Sequence, residues 1–204
     1  MVKLPLPDLS SAVARGSAAA TALDAVEMSV KVLEDNPALN AACGAVVNVE
    51  GRIELDAGIA DGDTAGCGGI ANVCVKHPIS LARRVLEHTP HVLVTGAGAV
   101  ELGRDMPQLD GPTEEQRERW ETAHAAGRVG PGHYGAPEHV DTVGAVALDG
   151  RGHLAAGAST GGVFGKLVGR VGDSPIFGAG FYASREAAVV GTGVGELFIE
   201  TLAA

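Results

Sequence analysis

His139-Val140-Asp141-Thr142-Val143-Gly144-Ala145-Val146-Ala147-Leu148-Asp149 is the segment in which the character of the chain changes most sharply. A β-branched, alternating run begins here, directly after a long polar segment rich in glycine and proline, and this pattern predicts the change from a loop to a buried strand. Thr142 places a hydroxyl at that boundary. The residues alone therefore raise the hypothesis that the peptide bond before Thr142 is cut, so that its free amine serves as the base for its own hydroxyl.

The composition predicts one globular domain and disfavours several classes of partner. With 204 residues and 46% hydrophobic content, the chain is long enough for a single well-buried domain, 1–204. A formal net charge of −10 would repel phosphate, and 3% aromatic residues offer few stacking surfaces, so no nucleic-acid partner is expected. Prolines interrupt the apolar N-terminal run, and no stretch is long enough to cross a bilayer, which predicts a cytoplasmic protein without a membrane partner.

Helical spacing of apolar residues predicts an amphipathic helix near the start of the chain. Apolar residues recur at this spacing from Ser10 to Leu33, and Pro37 ends the helix because proline disfavours helical backbone in the residue before it. The three cysteines, an odd number without the spacing of a zinc site, are expected to be buried and reduced. Further helices are predicted at Pro78–His88, at Ala97–Gly103, within the charged segment 114–120 and at Val194–Ala204.

Short β-branched runs separated by turns predict hairpins and single strands. Between them, the range of about 104–141 changes to charged and then glycine- and proline-rich sequence, which predicts a short helix followed by a linker that tolerates cleavage. The order of elements predicts an α+β protein with helices on both outer faces of strand layers. The predicted pairs are Ala45–Val49 with Arg52–Ile59, Val143–Leu148 with Leu154–Ala158, and Gly178–Ala183 with Ala187–Val190, and the single strands are Ile70–Val75 and Val92–Val94.

Three threonines, at 142, 160 and 192, lie in glycine-rich surroundings. Glycine beside a polar side chain lets a backbone N–H approach a substrate closely, as an oxyanion site requires. Strand-end turns also use glycine, so each motif alone has a structural alternative. The repetition of the pattern favours the functional interpretation.

Arg170 and Asp173 lie three residues apart in the segment Gly-Arg-Val-Gly-Asp-Ser-Pro, 169–175. An amino acid carries the complementary charges, since arginine can bind its α-carboxylate through two hydrogen bonds and aspartate can bind its α-ammonium. The alternative is a solvated ion pair in a surface loop.

The order of these motifs resembles that of a known family. The chain is similar to the plant-type asparaginase and isoaspartyl peptidase family of N-terminal nucleophile hydrolases, and the likeness covers most of its length. This resemblance implies a four-layer αββα sandwich that is incomplete at both termini, because the family's first strand and its His-Gly-Gly-Ala-Gly segment do not precede the first helix. The segments that carry it are Asp-Thr-Val-Gly at 141–144, Ser-Thr-Gly-Gly at 159–162, 169–175 and 178–183, with 33–44, 54–57, 61–62 and 80–83 upstream.

The resemblance implies autocatalytic cleavage between Asp141 and Thr142, which divides the chain into 1–141 and 142–204. Thr142 is then the nucleophile of an amidohydrolase acting on L-asparagine or on β-aspartyl dipeptides, through an acyl-enzyme. Thr160 is expected to hydrogen-bond to Thr142. The other implied site residues are Thr192 and Gly193 in the oxyanion hole, and Arg170, Asp173, Asn40 and Gly161 in substrate binding.

The resemblance also implies an assembly and a bound ion. A homo-oligomer of processed chains and a small-molecule substrate are expected, and no cofactor. Three alternatives stay open: a threonine-aspartase-like peptidase, which also has aspartate before its nucleophile; a glycosylasparaginase-like amidase; and an unprocessed relative that serves as a binding or structural module. The ion is a structural sodium held by the backbone carbonyls of Leu33, Glu34, Asn36, Leu39, Ala41 and Cys43.

Overall fold

The computed structural model describes residues 9–130 and 142–204. Asp141, on one side of the predicted cleavage site, and the last part of the predicted linker therefore lie outside the described residues. The elements within the described ranges are α1 Ser10–Ser17, α2 Ala22–Glu34, β1 Leu55–Asp61, β2 Gly66–Val73, α3 Pro78–His88, β3 Leu93–Thr95, α4 Gly96–Leu102, α5 Glu114–Ala125, β4 Val143–Leu148, β5 Leu154–Thr160, β6 Phe181–Ala183, β7 Ala188–Val190 and α6 Gly195–Thr201.

Five strands form one sheet in the order β3-β2-β1-β5-β4. All neighbours are antiparallel except β2 and β3, which are parallel. In this register Val143 lies opposite Ser159, and Asp56 lies opposite Thr160. The start of β4 and the end of β5 therefore meet at one end of the strands, with β1 on the other side of β5.

The two faces of this sheet are covered by different layers. Helices α2 and α3 contact one face, and the two-stranded sheet formed by β6 and β7 contacts the other. Glycines allow both layers to approach closely: a Cβ on Gly157 would lie 2.8 Å from Val26 on the helical face, whereas a Cβ on Gly58 would collide with the Phe181 ring on the opposite face. The α+β class and the layered sandwich are confirmed.

The single helix predicted from Ser10 to Leu33 is wrong, because the chain forms two helices there. Thr21 has extended backbone, and its Oγ1 accepts the N–H of Asp24 at 3.1 Å, which caps the start of α2. The hydroxyl of Ser29 in α2 donates to the carbonyl of Ala12 in α1 at 3.1 Å, so the first helix folds back on the second. Residues 18–22 contain neither proline nor glycine, and the available sign of the break was Thr21 three residues before Asp24, a pattern typical of a helix start.

The strand predicted at Ala45–Val49 is also wrong, and with it the first hairpin. The Oδ1 of Asn48 accepts the N–H groups of Glu50 and Arg52 at 2.9 and 3.0 Å, which closes a compact turn. Strand β1 begins only at Leu55 and pairs with β2. The other two predicted hairpins are confirmed by the β4–β5 and β6–β7 pairings.

Helix α5 lies inside the predicted linker range and packs on the domain. Thr113 caps it by accepting the N–H of Gln116 at 3.3 Å. The Nε1 of Trp120 donates to the carbonyl of Val49 at 3.3 Å, and the guanidinium of Arg119 lies 4.2 Å from the centre of the Phe164 ring.

Over the ranges 9–130 and 142–204, no helix is long and apolar enough to cross a membrane. The three cysteines are free and half-buried, where full burial was expected.

Candidate active site

Thr142 and Thr160 are brought together by the pairing of β4 with β5. The Oγ1 of Thr142 donates to the Oγ1 of Thr160 at 3.1 Å. The Oγ1 of Thr160 also accepts the N–H of Gly162 at 3.0 Å. Thr160 is buried, so its hydroxyl is held by the protein, whereas Thr142 is half-buried and its hydroxyl is accessible. A hydroxyl with a fixed hydrogen-bond partner is a suitable nucleophile once a base is available.

Asn40 shapes the loop that follows Thr160. Its Nδ2 donates to the carbonyl of Gly162 at 2.7 Å, and its Oδ1 accepts the N–H of Val46 at 3.0 Å. The backbone carbonyl of Asn40 accepts the N–H of Gly161 at 3.0 Å, and a Cβ on Gly161 would lie 2.5 Å from the Asn40 Oδ1. Asn40 therefore fixes Gly161 and Gly162 against the site, and no side chain fits at Gly161.

The guanidinium of Arg170 points towards the same glycine loop. Its Nη1 lies 3.4 Å from the position of a Cβ on Gly162 and 2.9 Å from that of a Cβ on Gly172. Its Nε and Nη2 donate to the Oε1 of Glu196 at 3.0 and 2.7 Å. Only 15% of the Arg170 side chain is exposed, so a solvated Arg170–Asp173 pair in a surface loop is not what the structure has.

Asp173 is a buried carboxylate with unused hydrogen-bonding capacity. It is 6% exposed, and its Oδ2 makes no hydrogen bond to the residues at 9–130 and 142–204. Burial raises the pKa of Asp173, although the nearby Arg170 charge opposes the shift. A buried acceptor without a partner costs free energy, and a bound ammonium group would remove that cost. The geometry thus suits a ligand that carries a cation.

Thr192 and Gly193 follow β7, and the stacking of the sheets brings them to the same end as Thr142. A Cβ on Gly144 in β4 would lie 3.2 Å from Val190 in β7. Strand β6 runs in the same direction as β1, and so does β4, since both β1 and β4 are antiparallel to β5. Strand β7 is antiparallel to β6 and therefore also to β4. Thr192, two residues after Val190, consequently lies level with Thr142, two residues before Gly144. The contacts that set this direction are Gly58 with Phe181 and Gly62 with Ser184.

Two buried charges behind the site were missed by the sequence reasoning. Lys166 is fully buried, and its Nζ donates to the carbonyl of Glu54 at 2.7 Å. Asp56 is also fully buried and accepts the N–H groups of Gly172 and Asn72 at 3.0 and 3.2 Å. Burial raises the pKa of Asp56 and lowers that of Lys166, and the charge of each opposes the shift of the other. In the sequence, the sign of their burial was a single charge inside an otherwise apolar or glycine-rich segment.

Asp56 and Lys166 link the loop that carries Arg170 and Asp173 to the central sheet. Asp56 lies on β1 directly opposite Thr160, while Gly172, its hydrogen-bond donor, stands between Arg170 and Asp173. The Nζ of Lys166 lies 3.0 Å from the position of a Cβ on Gly162. The pair therefore fixes the loop that presents Arg170 and Asp173 relative to the strand that presents Thr160.

Glu34, expected to offer only its carbonyl to sodium, also has a buried side chain. Its Oε1 accepts the N–H of Ile79 at 3.0 Å at the start of α3, and its Oε2 lies 3.2 Å from the Nδ1 of His77. Burial raises the pKa of Glu34, although the hydrogen bond with His77 opposes the shift. The carboxyl group thus joins the end of α2 to the start of α3.

The segment predicted to bind sodium forms a tight curl. Ala42 has a φ of 43°, and the carbonyls of Pro37 and Leu39 both approach the position of a Cβ on Gly44. Each carbonyl oxygen has a second lone pair left after one hydrogen bond, and hard cations prefer oxygen ligands. The carbonyls of Leu33, Asn36, Leu39 and Ala41 accept one backbone N–H each, from Asn36, Leu39, Ala41 and Gly44. The curl therefore fits a sodium ion in the chemistry of its donors.

Comparison with known proteins gives a consistent match. A family described as Asparaginase matches residues 8–204. The chain is 47% identical over 193 residues to a plant-type L-asparaginase of Pyrococcus abyssi, covering 88% of this chain and 63% of the relative. It is 46% identical over 196 residues to an isoaspartyl peptidase of Salmonella typhimurium, covering 90% and 62%.

A third relative, an isoaspartyl peptidase/L-asparaginase of Homo sapiens, is 43% identical over 187 residues, covering 88% of this chain and 60% of the relative. The chain thus spans about three fifths of the length of these curated relatives. The family match includes the pairing strands β4 and β5 and the loop that carries Arg170 and Asp173. The chain belongs to the asparaginase family whose members include plant-type L-asparaginases and isoaspartyl peptidases.

Proposed function

We propose that this protein hydrolyses the side-chain amide of L-asparagine and the isopeptide bond of β-aspartyl dipeptides, through an acyl-enzyme on Thr142. The observation that carries the proposal is the hydrogen bond of 3.1 Å between the hydroxyls of Thr142 and Thr160. The names of the relatives, L-asparaginase and isoaspartyl peptidase, support the same two substrate classes.

The proposed activity begins with cleavage of the chain between Asp141 and Thr142. The Oγ1 of Thr142 attacks the carbonyl carbon of Asp141, and the acyl group moves from nitrogen to oxygen, which gives an ester. Water then hydrolyses that ester, leaving a new carboxylate on Asp141 and a free α-amine on Thr142. The products are the two proposed parts of the protein, 1–141 and 142–204.

The new amine supplies a base on the same residue as the Thr142 hydroxyl. An α-amino group has a pKa of about 7.7–8.0, so roughly a tenth to a sixth of it is unprotonated at about pH 7. It accepts the proton of the Thr142 hydroxyl while Oγ1 attacks the substrate carbonyl, and it returns that proton to the departing ammonia or amine. Water hydrolyses the resulting aspartyl ester. In the proposed mechanism Thr192 and the N–H of Gly193 stabilise the oxyanion.

Asp173 and Arg170 provide the proposed binding groups for the substrate's own charges. The Oδ2 of Asp173 is buried and accepts no hydrogen bond from residues 9–130 and 142–204, so an α-ammonium group fits beside it. The Nη1 of Arg170 faces the glycine loop after Thr160, where an α-carboxylate can bind. Both substrate classes share this α-amino-acid group, which explains why one site serves them.

Replacing Thr160 by valine tests the support given to the nucleophile. Valine keeps the volume of threonine but removes the oxygen that accepts hydrogen bonds from Thr142 and Gly162. We expect kcat for L-asparagine to fall roughly 10²- to 10³-fold, as for the loss of other catalytic hydrogen-bond partners. Steady-state ammonia release measures it. Thr160→Ser keeps the oxygen and should retain most of the activity, so equal losses in both variants would contradict this role.

We also propose that the curl at residues 33–43 binds a structural sodium ion through backbone carbonyls. A cation that binds only the folded chain stabilises it, so the thermal midpoint should be about 2–4 °C higher in sodium chloride than in choline chloride at equal ionic strength. Thermal unfolding followed by circular dichroism measures the difference. Identical midpoints in the two salts over a range of concentrations would exclude a stabilising sodium site.

The proposed activity is tested directly by the products of the full chain. Incubation with L-asparagine should release ammonia and aspartate, and a β-aspartyl dipeptide should release aspartate and the second amino acid. Glycosylated asparagine, in the same assay, tests the glycosylasparaginase alternative. Absence of product from a correctly folded, cleaved chain would contradict the proposed function. The homo-oligomer and the cytoplasmic location stay predictions.

A further inference from the structure

Glu196 binds Arg170 by one edge of its guanidinium group. The Nε and Nη2 of Arg170 both donate to the Oε1 of Glu196, at 3.0 and 2.7 Å. The Arg170 side chain is 15% exposed, whereas that of Glu196 is 60% exposed and lies in the first turn of α6. Partial burial raises the pKa of Glu196, but the hydrogen bonds from Arg170 outweigh it and lower the pKa overall. The contact is therefore a charged hydrogen-bonded pair.

A guanidinium group offers carboxylates two different edges. The side edge consists of Nε and Nη2, and Glu196 uses it. The end edge consists of Nη1 and the second N–H of Nη2, and it makes no hydrogen bond within the described ranges. This free edge faces the glycine loop, because Nη1 lies 3.4 Å from the position of a Cβ on Gly162. Gly162 itself donates to the hydroxyl of Thr160.

Gly195 allows this arrangement to form. It is buried, and a Cβ there would lie 2.8 Å from the Oδ1 of Asp173 and 2.9 Å from the Nη2 of Arg170. Only a residue without a side chain lets the backbone before Glu196 pass so close to both groups. Glu196 is consequently held beside Arg170 by its neighbour in sequence as well as by its own charge.

We propose that Glu196 is a positioning residue that sets the specificity for substrates with an α-carboxylate. This inference rests on the proposed function. Glu196 holds the side edge of Arg170, so the end edge is fixed in the direction of Thr160 and is available to the carboxylate of the substrate. A carboxylate that blocked the site would occupy the end edge. The observed contact leaves that edge available, so substrate binding does not require the Arg170–Glu196 pair to break.

The kinetic test compares Glu196→Ala, Glu196→Gln and Glu200→Ala in the full chain. Glu200 is exposed on the same helix, so its substitution removes the same charge away from Arg170. For L-asparagine, Glu196→Ala should raise KM roughly tenfold to hundredfold and change kcat less than about threefold, since a charged hydrogen bond to the binding group is lost. Glu196→Gln keeps the accepting oxygen and should restore most of the affinity, and Glu200→Ala should match the wild type.

L-asparagine α-amide, which has no α-carboxylate, distinguishes positioning from a general structural effect. Its KM should be the same for Glu196→Ala and the wild type. An equal rise in KM for both substrates, or no rise for L-asparagine, would overturn the inference.

A second readout does not depend on activity. In ¹⁵N-labelled protein without substrate, the Nε–Hε signal of Arg170 should lose its protection from solvent exchange in Glu196→Ala and keep it in Glu200→Ala. An unchanged Arg170 signal in Glu196→Ala would overturn the inference even if L-asparagine is hydrolysed. A wild-type chain that hydrolyses neither substrate would contradict the proposed function, while this signal would still decide whether Glu196 positions Arg170.

Discussion

Replacing Thr142 by alanine is expected to abolish cleavage of the chain and hydrolysis of L-asparagine together. The substitution removes the only atom proposed to attack a carbonyl in either reaction, Oγ1, which now donates to Thr160 at 3.1 Å. Without cleavage the α-amine of residue 142 also stays in a peptide bond and cannot serve as a base. Loss of a nucleophile in comparable hydrolases lowers kcat about 10⁶-fold, so the remaining rate should be at background.

Thr142→Ser is the matched control for this substitution, because it keeps the hydroxyl and removes only a methyl group. It should cleave and hydrolyse more slowly than the wild type but measurably. Ammonia release and gel analysis of the same samples provide both readouts. Cleavage or hydrolysis that persists in Thr142→Ala at the wild-type rate would exclude Thr142 as the nucleophile.

Replacing Lys166 by methionine is expected to lower the free energy of unfolding by about 3–5 kcal/mol. Lys166 and Asp56 are both fully buried, and removal of the cation leaves the Asp56 charge without its compensation in an apolar environment. The loop from Gly162 to Asp173 should loosen as well, because the hydrogen bond from Nζ to the carbonyl of Glu54 is lost. Urea unfolding followed by circular dichroism measures the change.

Lys76→Met is the matched control, since it is the same chemical change at a side chain that is 48% exposed and 3.4 Å from Asp35. An exposed ion pair contributes about 0–1 kcal/mol, so this variant should unfold almost as the wild type does. The double substitution of Lys166→Met and Asp56→Asn should recover part of the loss, because it leaves no unpaired charge. Equal effects of the substitutions at 166 and 76 would show that the buried lysine has no stabilising role.

Local sequence patterns were sufficient to predict the two strands that position the candidate nucleophile. Residues 143–148 and 154–158 show β-type alternation on either side of a short turn, and β4 and β5 form the predicted hairpin. That hairpin alone brings Thr142 next to Thr160, because the register of an antiparallel pair fixes which residues lie opposite each other. The helix at Pro78–His88 was likewise predicted with its observed bounds, since proline in the first turn marks its start.

Long-range contacts account for most of what the sequence did not reveal. The partner of Arg170 is Glu196, 26 residues further on, whereas the only partner within the protein that the sequence offered was Asp173, as the alternative to substrate binding. Lys166 and Asp56 are far apart in the chain and have side chains that are ordinarily solvated, so a lone charge within an apolar or glycine-rich segment was the only local sign of their burial. The break before Thr21 was missed for a different reason: the cap that begins α2 is a single side-chain hydrogen bond within an alanine-rich segment.

The intact mass of the purified full chain, followed over time, shows directly whether the bond between Asp141 and Thr142 is cut. We expect two species, 1–141 and 142–204, whose masses add up to that of the whole chain plus one water, with Thr142 as the N-terminal residue of the smaller. Both should form in Thr142→Ser and neither in Thr142→Ala. A folded wild-type chain that keeps its single intact mass after prolonged incubation would show that Thr142 does not become a free N-terminus and would overturn the proposed mechanism.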